Sequence, residues 1–221
     1  MPLSTLANIS VPIPGEANQP LLMPKLQYRF RVLLTGFGNS GTETRELTRQ
    51  VVDVTRPNLS FEHIPLHVYN SISNIAGKHS WEPVTLTLRD DVNNFVQIAV
   101  GQQLQRQFDF WEQRSAAVGS SYKFQTDIEI LDGGNGAAST GGPVVLEKFA
   151  LVGCYIQSAN YQSLNYASNE AATVQLTIRY DNAVQYGRDN QSEGVGDQRT
   201  TSSRNGSFST GALQPGSAAQ I

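Results

Sequence analysis

The chain has 221 residues, enough for one large β domain or two small ones. Charged residues make up 16% of it, against about 25% in ordinary soluble domains, and the formal net charge is -3. With no cluster of Lys and Arg there is nothing to displace counterions from phosphate, the single Cys154 excludes an internal disulfide, and no apolar run approaches the ~20 residues of a membrane span. Asn, Gln, Ser and Thr supply the missing polarity. Such a surface is cheap to desolvate, and charge is depleted at the cores of interfaces, so the composition points to an assembling subunit. The opening segment, 1–15, lacks a basic region and is broken by Pro12 and Pro14, so it does not read as a secretory signal. A soluble product of the cytoplasm is expected.

Residues 1–25 carry five prolines from Pro2 to Pro24 and read as an extended arm, because proline fixes φ and removes donors. From 26–35 (L-Q-Y-R-F-R-V-L-L-T), Tyr28, Phe30 and Val32 alternate with Gln27, Arg29 and Arg31, the pattern of a half-buried strand. A Gly-rich turn and a second alternating stretch at 47–55 predict a long hairpin. The turn, Gly36-Phe37-Gly38-Asn39-Ser40-Gly41, matches the dinucleotide fingerprint G-x-G-x-x-G. The Arg-bearing strand before it is not that of a buried parallel sheet, and a strand restarting by Leu47 leaves no room for a crossover helix. A hairpin turn at positive φ is the better reading, and a nucleotide-binding enzyme using Gly36 to Gly41 the lesser one.

His63 and His67 have a zinc-like spacing on a helix, but Pro65 between them predicts an extended segment that sets the two rings ~13 Å apart. Residues 84–89 (V-T-L-T-L-R) are the cleanest strand, with Val84, Leu86 and Leu88 on one side and Thr85, Thr87 and Arg89 on the other. A helix is expected over about 92–117, with an apolar stripe of Val92, Phe95, Val96, Ala99, Val100, Leu104, Phe108 and Trp111 covering its own sheet, and Asp91 as N-cap. Strands are predicted at 122–131, 144–157 and 172–182, the first two separated by a flexible link at 132–143. The segment 183–221 is rich in Gly, Ser, Gln and Asn and reads as a tail that cannot offset its own ordering entropy. One domain, 26–182, is therefore flanked by two arms. Asp90 and Asp91 do not make an acid/base pair, since capping accounts for Asp91 and neighbouring side chains diverge. There is no nucleophile elbow or phosphate loop, and the apolar setting V-G-C-Y-I would raise the pKa of Cys154. No catalytic residue, metal ligand or cofactor-binding residue is assigned, and an enzyme is not expected.

Two blocks carry a family resemblance. The first is N-S-I-S-N-I-A-G-K-H-S-W-E-P-V-T-L-T-L-R-D-D at 70–91, followed at once by the helix. The second is L-V-G-C-Y-I-Q-S-A-N-Y-Q-S-L-N-Y-A-S-N-E-A-A-T-V-Q-L-T-I-R-Y-D at 151–181. In order and spacing they resemble the tail tube proteins of contractile-tailed, myovirus-type bacteriophages, over about 26–181. The resemblance implies a mainly β fold of two packed antiparallel sheets forming a small barrel with one flanking helix. It implies subunits that form hexameric rings and stack into an inner tube within a contractile sheath, a virion tail component assembled in the host cytoplasm. The implied partners are other copies of the chain, the sheath protein, baseplate or initiator and tail terminator proteins, and phage DNA passing through the lumen without specific binding. No cofactor and no membrane anchor are implied. The tube of a type VI secretion system or of a phage-derived bacteriocin is the alternative.

Two expectations about surfaces follow. Phe37, Asn39, Thr42, His63, Tyr69, His79 and Trp81, on loops beside the sheets, are expected at subunit contacts. Thr85, Thr87, Gln175 and Thr177, on the polar sides of two strands, are expected to face the lumen of a weakly charged or acidic wall.

Overall fold

The computed structural model describes residues 24–38, 43–132 and 143–187, with 43–46 described by backbone alone. In chain order the elements are β1 (Phe30–Thr35), α1 (Glu43–Gln50), β2 (Val51–Val54), β3 (Leu59–Val68), β4 (Ser71–Trp81), β5 (Val84–Arg89), α2 (Phe95–Gln107), β6 (Phe108–Asp109), β7 (Arg114–Ser115), β8 (Phe124–Leu131), β9 (Val145–Tyr161), β10 (Thr173–Arg179) and β11 (Asn182–Tyr186). The fold is mainly β, as the alternating segments and the resemblance both require. All strand pairs are antiparallel.

Two sheets share the 17-residue strand β9. One runs β1-β8-β9-β11 and the other β9-β10-β5-β2. Their inner faces enclose one core: Val32, Leu34, Ile128 and Leu151 from the first, Val84, Leu86, Leu88, Val174, Leu176 and Ile178 from the second. The crossing point on β9 is Gly153, which sits at φ +73°. Asp181, between β10 and β11, lies against it, and its amide donates to the Val152 carbonyl (3.0 Å). The chain thus changes sheets twice at one place. On the opposite flank β1 and β2 do not pair, so the barrel stays open along a seam.

Several sequence expectations are corrected here. The hairpin of 26–35 with 47–55 does not form. β1 pairs β8 across the molecule, β2 pairs β5, and α1 lies between them. The alternation of Val52 and Val54 is real but covers only β2. The preceding E-T-R-E-L-T-R-Q is made of good helix formers around one apolar residue, Leu47, which is fully buried. A helix therefore does follow the glycines, contrary to the expectation of a strand restarting by Leu47.

Helix α2 is half the expected length, 95–107 in place of 92–117. It ends where Phe108 turns extended and Asp109 accepts the amides of Trp111 and Glu112, closing the β6–β7 turn. Those amide hydrogen bonds, Glu112 first, hold the Asp109 carboxyl below the ordinary carboxylate range. Of the predicted stripe, Val96, Ala99 and Val100 are buried, Leu104 and Phe108 are half-buried, and Val92 and Trp111 (93% exposed) face outward. Asp91 does accept the Phe95 amide (3.1 Å), although the N-cap position belongs to Asn94 in the left-handed region. β9 runs past Gly153 to Tyr161, and β11 buries Ala183, carrying the domain beyond Asn182. Most of the link at 132–143, the arm at 1–25 and the tail at 183–221 lies outside the described residues.

Candidate functional site

The register of β5, β10 and β9 builds a belt on the outward face of the second sheet. Thr87 stands opposite Gln175, which stands opposite Asn160; Thr85 stands opposite Thr177, which stands opposite Ser158. The four expected lumen residues therefore form one contiguous patch, and alternation extends it with Ser158 and Asn160. Every member is uncharged and polar. Arg89 and Arg179, exposed on the same face, stand at its two ends, and Arg179 is tied to Gln157 (3.2 Å). On β5, β10 and β9 the face is thus a neutral belt with a cation at each end, and the exposed Asp53 of β2 flanks it opposite Thr87.

Among the described strands this sheet has two open edges. β2 pairs only β5. On the other side β8 accompanies β9 no further than Cys154, so residues 157–161 have a strand on one side alone. Unpaired amides and carbonyls on a strand edge are a template for another strand.

The β3–β4 hairpin is a second surface. Its strands pair with each other and with no other described strand, and apart from Gly77 every residue from Ser60 to Ser80 is exposed. Alternation and register place Ile64, Leu66, Val68 and Ile75 on one face, all at least 43% exposed. A lone two-stranded hairpin is marginal in water, and these apolar side chains have no cover among the described residues. At the root, Trp81 packs on Tyr180 (ring centroids 5.8 Å apart) and is partly buried against the core.

The expected contact residues divide accordingly. His63, Tyr69 (fully exposed, φ +46°) and His79 are on the protruding hairpin, with His79 between Phe61, tilted to it, and Trp81, edge-on to it. Trp81 anchors the hairpin instead of standing free. Phe37 is 1% exposed and edge-on to Phe124 (4.9 Å), so it is a core residue and not a contact. Asn39 and Thr42 lie outside the described residues.

The glycine turn is held from α2. Gln103, fully buried, accepts the Gly38 amide (3.2 Å) and donates to the Tyr122 carbonyl (2.6 Å). Arg106 donates to the carbonyls of Gly36, Gly38 and Ser121. The Gly38 amide that a phosphate would need is thus already bound, and β1 and β2 are neither parallel nor neighbours, so the geometry of a dinucleotide unit is missing. One turn on, the Gln107 carboxamide both donates to the Ile156 carbonyl (2.9 Å) and accepts its amide (2.8 Å). It replaces the strand that β9 loses where β8 begins. Sequence reasoning missed this trio; its signal was the polar stripe Gln103, Arg106, Gln107 beside the apolar one. Cys154 is buried, and burial pushes its thiol up to about 11. Among the described residues no group of three His, Cys, Asp or Glu side chains could hold a metal, and no helix is long and apolar enough to cross a membrane.

No family model and no curated protein sequence matches the chain. Solved structures do. A chain of the anti-feeding prophage cap, the AFP tube-terminating cap, is 16% identical with a TM-score of 0.55, covering 77% of this chain and 96% of its own. A chain of the AFP baseplate is 12% identical (TM-score 0.53; 76% and 98% covered). A chain of the PVC sheath–tube complex, from an extracellular contractile injection system in its extended state, is 14% identical (TM-score 0.52; 74% and 92% covered). At these identities the likeness is one of fold: the chain shares the architecture of proteins from the tube-bearing parts of contractile injection systems.

Proposed function

We propose that the chain is a structural subunit of a contractile particle, forming hexameric rings that stack into the inner tube. The observation that carries this reading is the four-stranded sheet β9-β10-β5-β2, with open edges among the described strands and an outer face that is neutral and polar on β5, β10 and β9 and flanked on β2 by the exposed Asp53 opposite Thr87. A head-to-tail interface repeated by rotation uses two different edges and closes into a ring, which removes both. The belt of Thr85, Thr87, Gln175 and Thr177 then lines the bore. The absence of cations between the Arg89 and Arg179 levels lets a polyanion pass without a continuous cationic track to arrest it. The apolar hairpin reaches a neighbouring copy, which covers Ile64, Leu66, Val68 and Ile75 and brings His63, Tyr69 and His79 into subunit contacts.

On this reading the particle is a phage virion, the cargo is its genome, and the further partners are the sheath, baseplate and terminator proteins. The matched structures come from injection particles, and that observation favours a second reading: a tube of the same build in a secretion or bacteriocin-like device. Negative-stain microscopy of the concentrated protein, with and without a baseplate extract as nucleus, tests the common claim. Rings or tubes are expected; a monodisperse monomer under both conditions sinks it. Purified particles carrying the chain then separate the two readings by whether they hold DNA.

A further inference from the structure

We infer that the seam between β1 and β2 is a strand-acceptor groove, and that its occupant is the segment 9–13 of a second copy of this chain. The inference rests on the tube-subunit reading and adds to it the device that joins neighbours. The seam contains two adjoining cavities of about 320 and 490 Å³, lined by Phe30, Val54 and Ile130 together with the charged Lys25, Asp53 and Arg56. Its walls are strand edges. The Leu131 amide donates to the Arg29 carbonyl, so the odd-numbered residues of β1 face β8, and Phe30 and Val32 turn their backbone groups toward the gap. Across it, Thr55 donates to Thr85, which turns the backbone of Val54 to the gap as well. Two edges unpaired among the described strands, with Phe30, Val54 and Ile130 between them, are what an added strand requires.

The sequence supplies one strand of matching chemistry. Ile9, Val11 and Ile13 alternate with Ser10 and Pro12, and Pro14 follows. In an extended chain the three apolar side chains share one face and can enter the groove. The amides of 9, 11 and 13 all point to one side, while both prolines fall on the other, where no donor is lost to a pairing that is not made. Such a strand pairs fully with β1 and turns its proline side, which lacks donors at 12 and 14, toward β2. Residues 14–23 give the segment the reach to fill a neighbour's groove. Ten residues with Pro14 and Pro20 can span roughly 33 Å, far more than the two to five of a hairpin return to the chain's own β1.

The test places a photoreactive benzophenone side chain at Val11 in full-length protein, mixes unlabelled and ¹⁵N-labelled chains before assembly, and maps the crosslinks by mass spectrometry. Links between isotopically different chains, ending on the peptides of Phe30 or Val54, are expected. Links confined to one chain, or absent from those peptides while microscopy of the same sample shows rings, overturn the inference and leave the tube reading standing. Absence of any assembly removes both. In a second arm, I9D/V11D/I13D is expected to keep the circular dichroism of the parent and raise the concentration needed for assembly about tenfold or more. Unchanged assembly by that variant counts against the groove.

Discussion

At the scale of single residues, two positions hold the double crossing between sheets. Gly153 has a φ that side-chain-bearing residues rarely adopt, and a Cβ there would collide with the Asp181 carboxylate, which is also paired with Lys123 (2.5 Å). Gly153→Ala is expected to cost about 1–3 kcal/mol, a fall in Tm of roughly 3–10 °C. Adding Asp181→Ala should recover only part of it, since the backbone strain remains. Full recovery in the double variant by calorimetry would show that the clash alone mattered. Alkaline titration is the second expectation. Burial raises Cys154 from 9.0 to about 11 and Tyr180 from 10.0 to about 12. A raised folded pKa means that the unfolded chain loses its proton first, so these contributions are whole below pH 9 and are lost as pH climbs to 11 and 12. Each is on the order of 2–3 kcal/mol. Urea melts from pH 8 to 11 should show this decline, and Cys154→Ala with Tyr180→Phe should flatten it. An equal decline in the double variant would place its cause elsewhere.

At the scale of elements, the β3–β4 hairpin and α2 differ in how openly the sequence declares them. The segment around His63 and His67 was legible as extended, but the continuation of β4 through Gly77 and the hairpin's isolation from every other described strand were not. Apolar residues such as Ile64, Leu66 and Val68 look the same whether the cover is the chain's own core or another molecule. Replacing residues 62–78 by a two-residue Asn-Gly turn should leave a folded monomer, because the core holds nothing from that stretch. The shortened protein should fail to stack in microscopy; normal tubes from it would reassign the hairpin. In α2, Val96, Ala99 and Val100 were read correctly, whereas Trp111 was carried into the helix by periodicity although Asp109 had already closed a turn. Hydrophobic period says which residues align if the helix continues; it does not say where the helix stops.

At the scale of the whole molecule, the belt is the feature that assembly would turn into a wall. Thr85→Lys with Gln175→Lys puts two cations on the neutral belt of each subunit. In a genome-carrying particle, tubes should still form and ejection should slow, more so at low salt because attraction to phosphate is screened by added ions. Unchanged ejection kinetics with normal tubes would take the belt off the bore. The protein's low charge also finds its place at this scale. On the first sheet, charges stand in opposite-sign pairs, Arg31 with Glu129 (2.5 Å) and Lys148 with Asp127 (2.9 Å), whereas the belt on β5, β10 and β9 carries none between Arg89 and Arg179.

What the sequence determined by itself was the local half of the structure. Strand alternation settled which side of β5 and β10 enters the core, and hence that Thr85, Thr87, Gln175 and Thr177 turn outward together. The order of two motif blocks pointed to the fold. Only the tertiary structure decided the partners: β1 with β8, β2 with β5, Phe37 inside, Gln107 standing in for a missing strand, and a seam left open. The reason is that side-chain period is a property of one segment, whereas pairing depends on backbone groups that every residue carries alike. A strand's sequence therefore says which face it buries and is nearly silent about whose edge it joins.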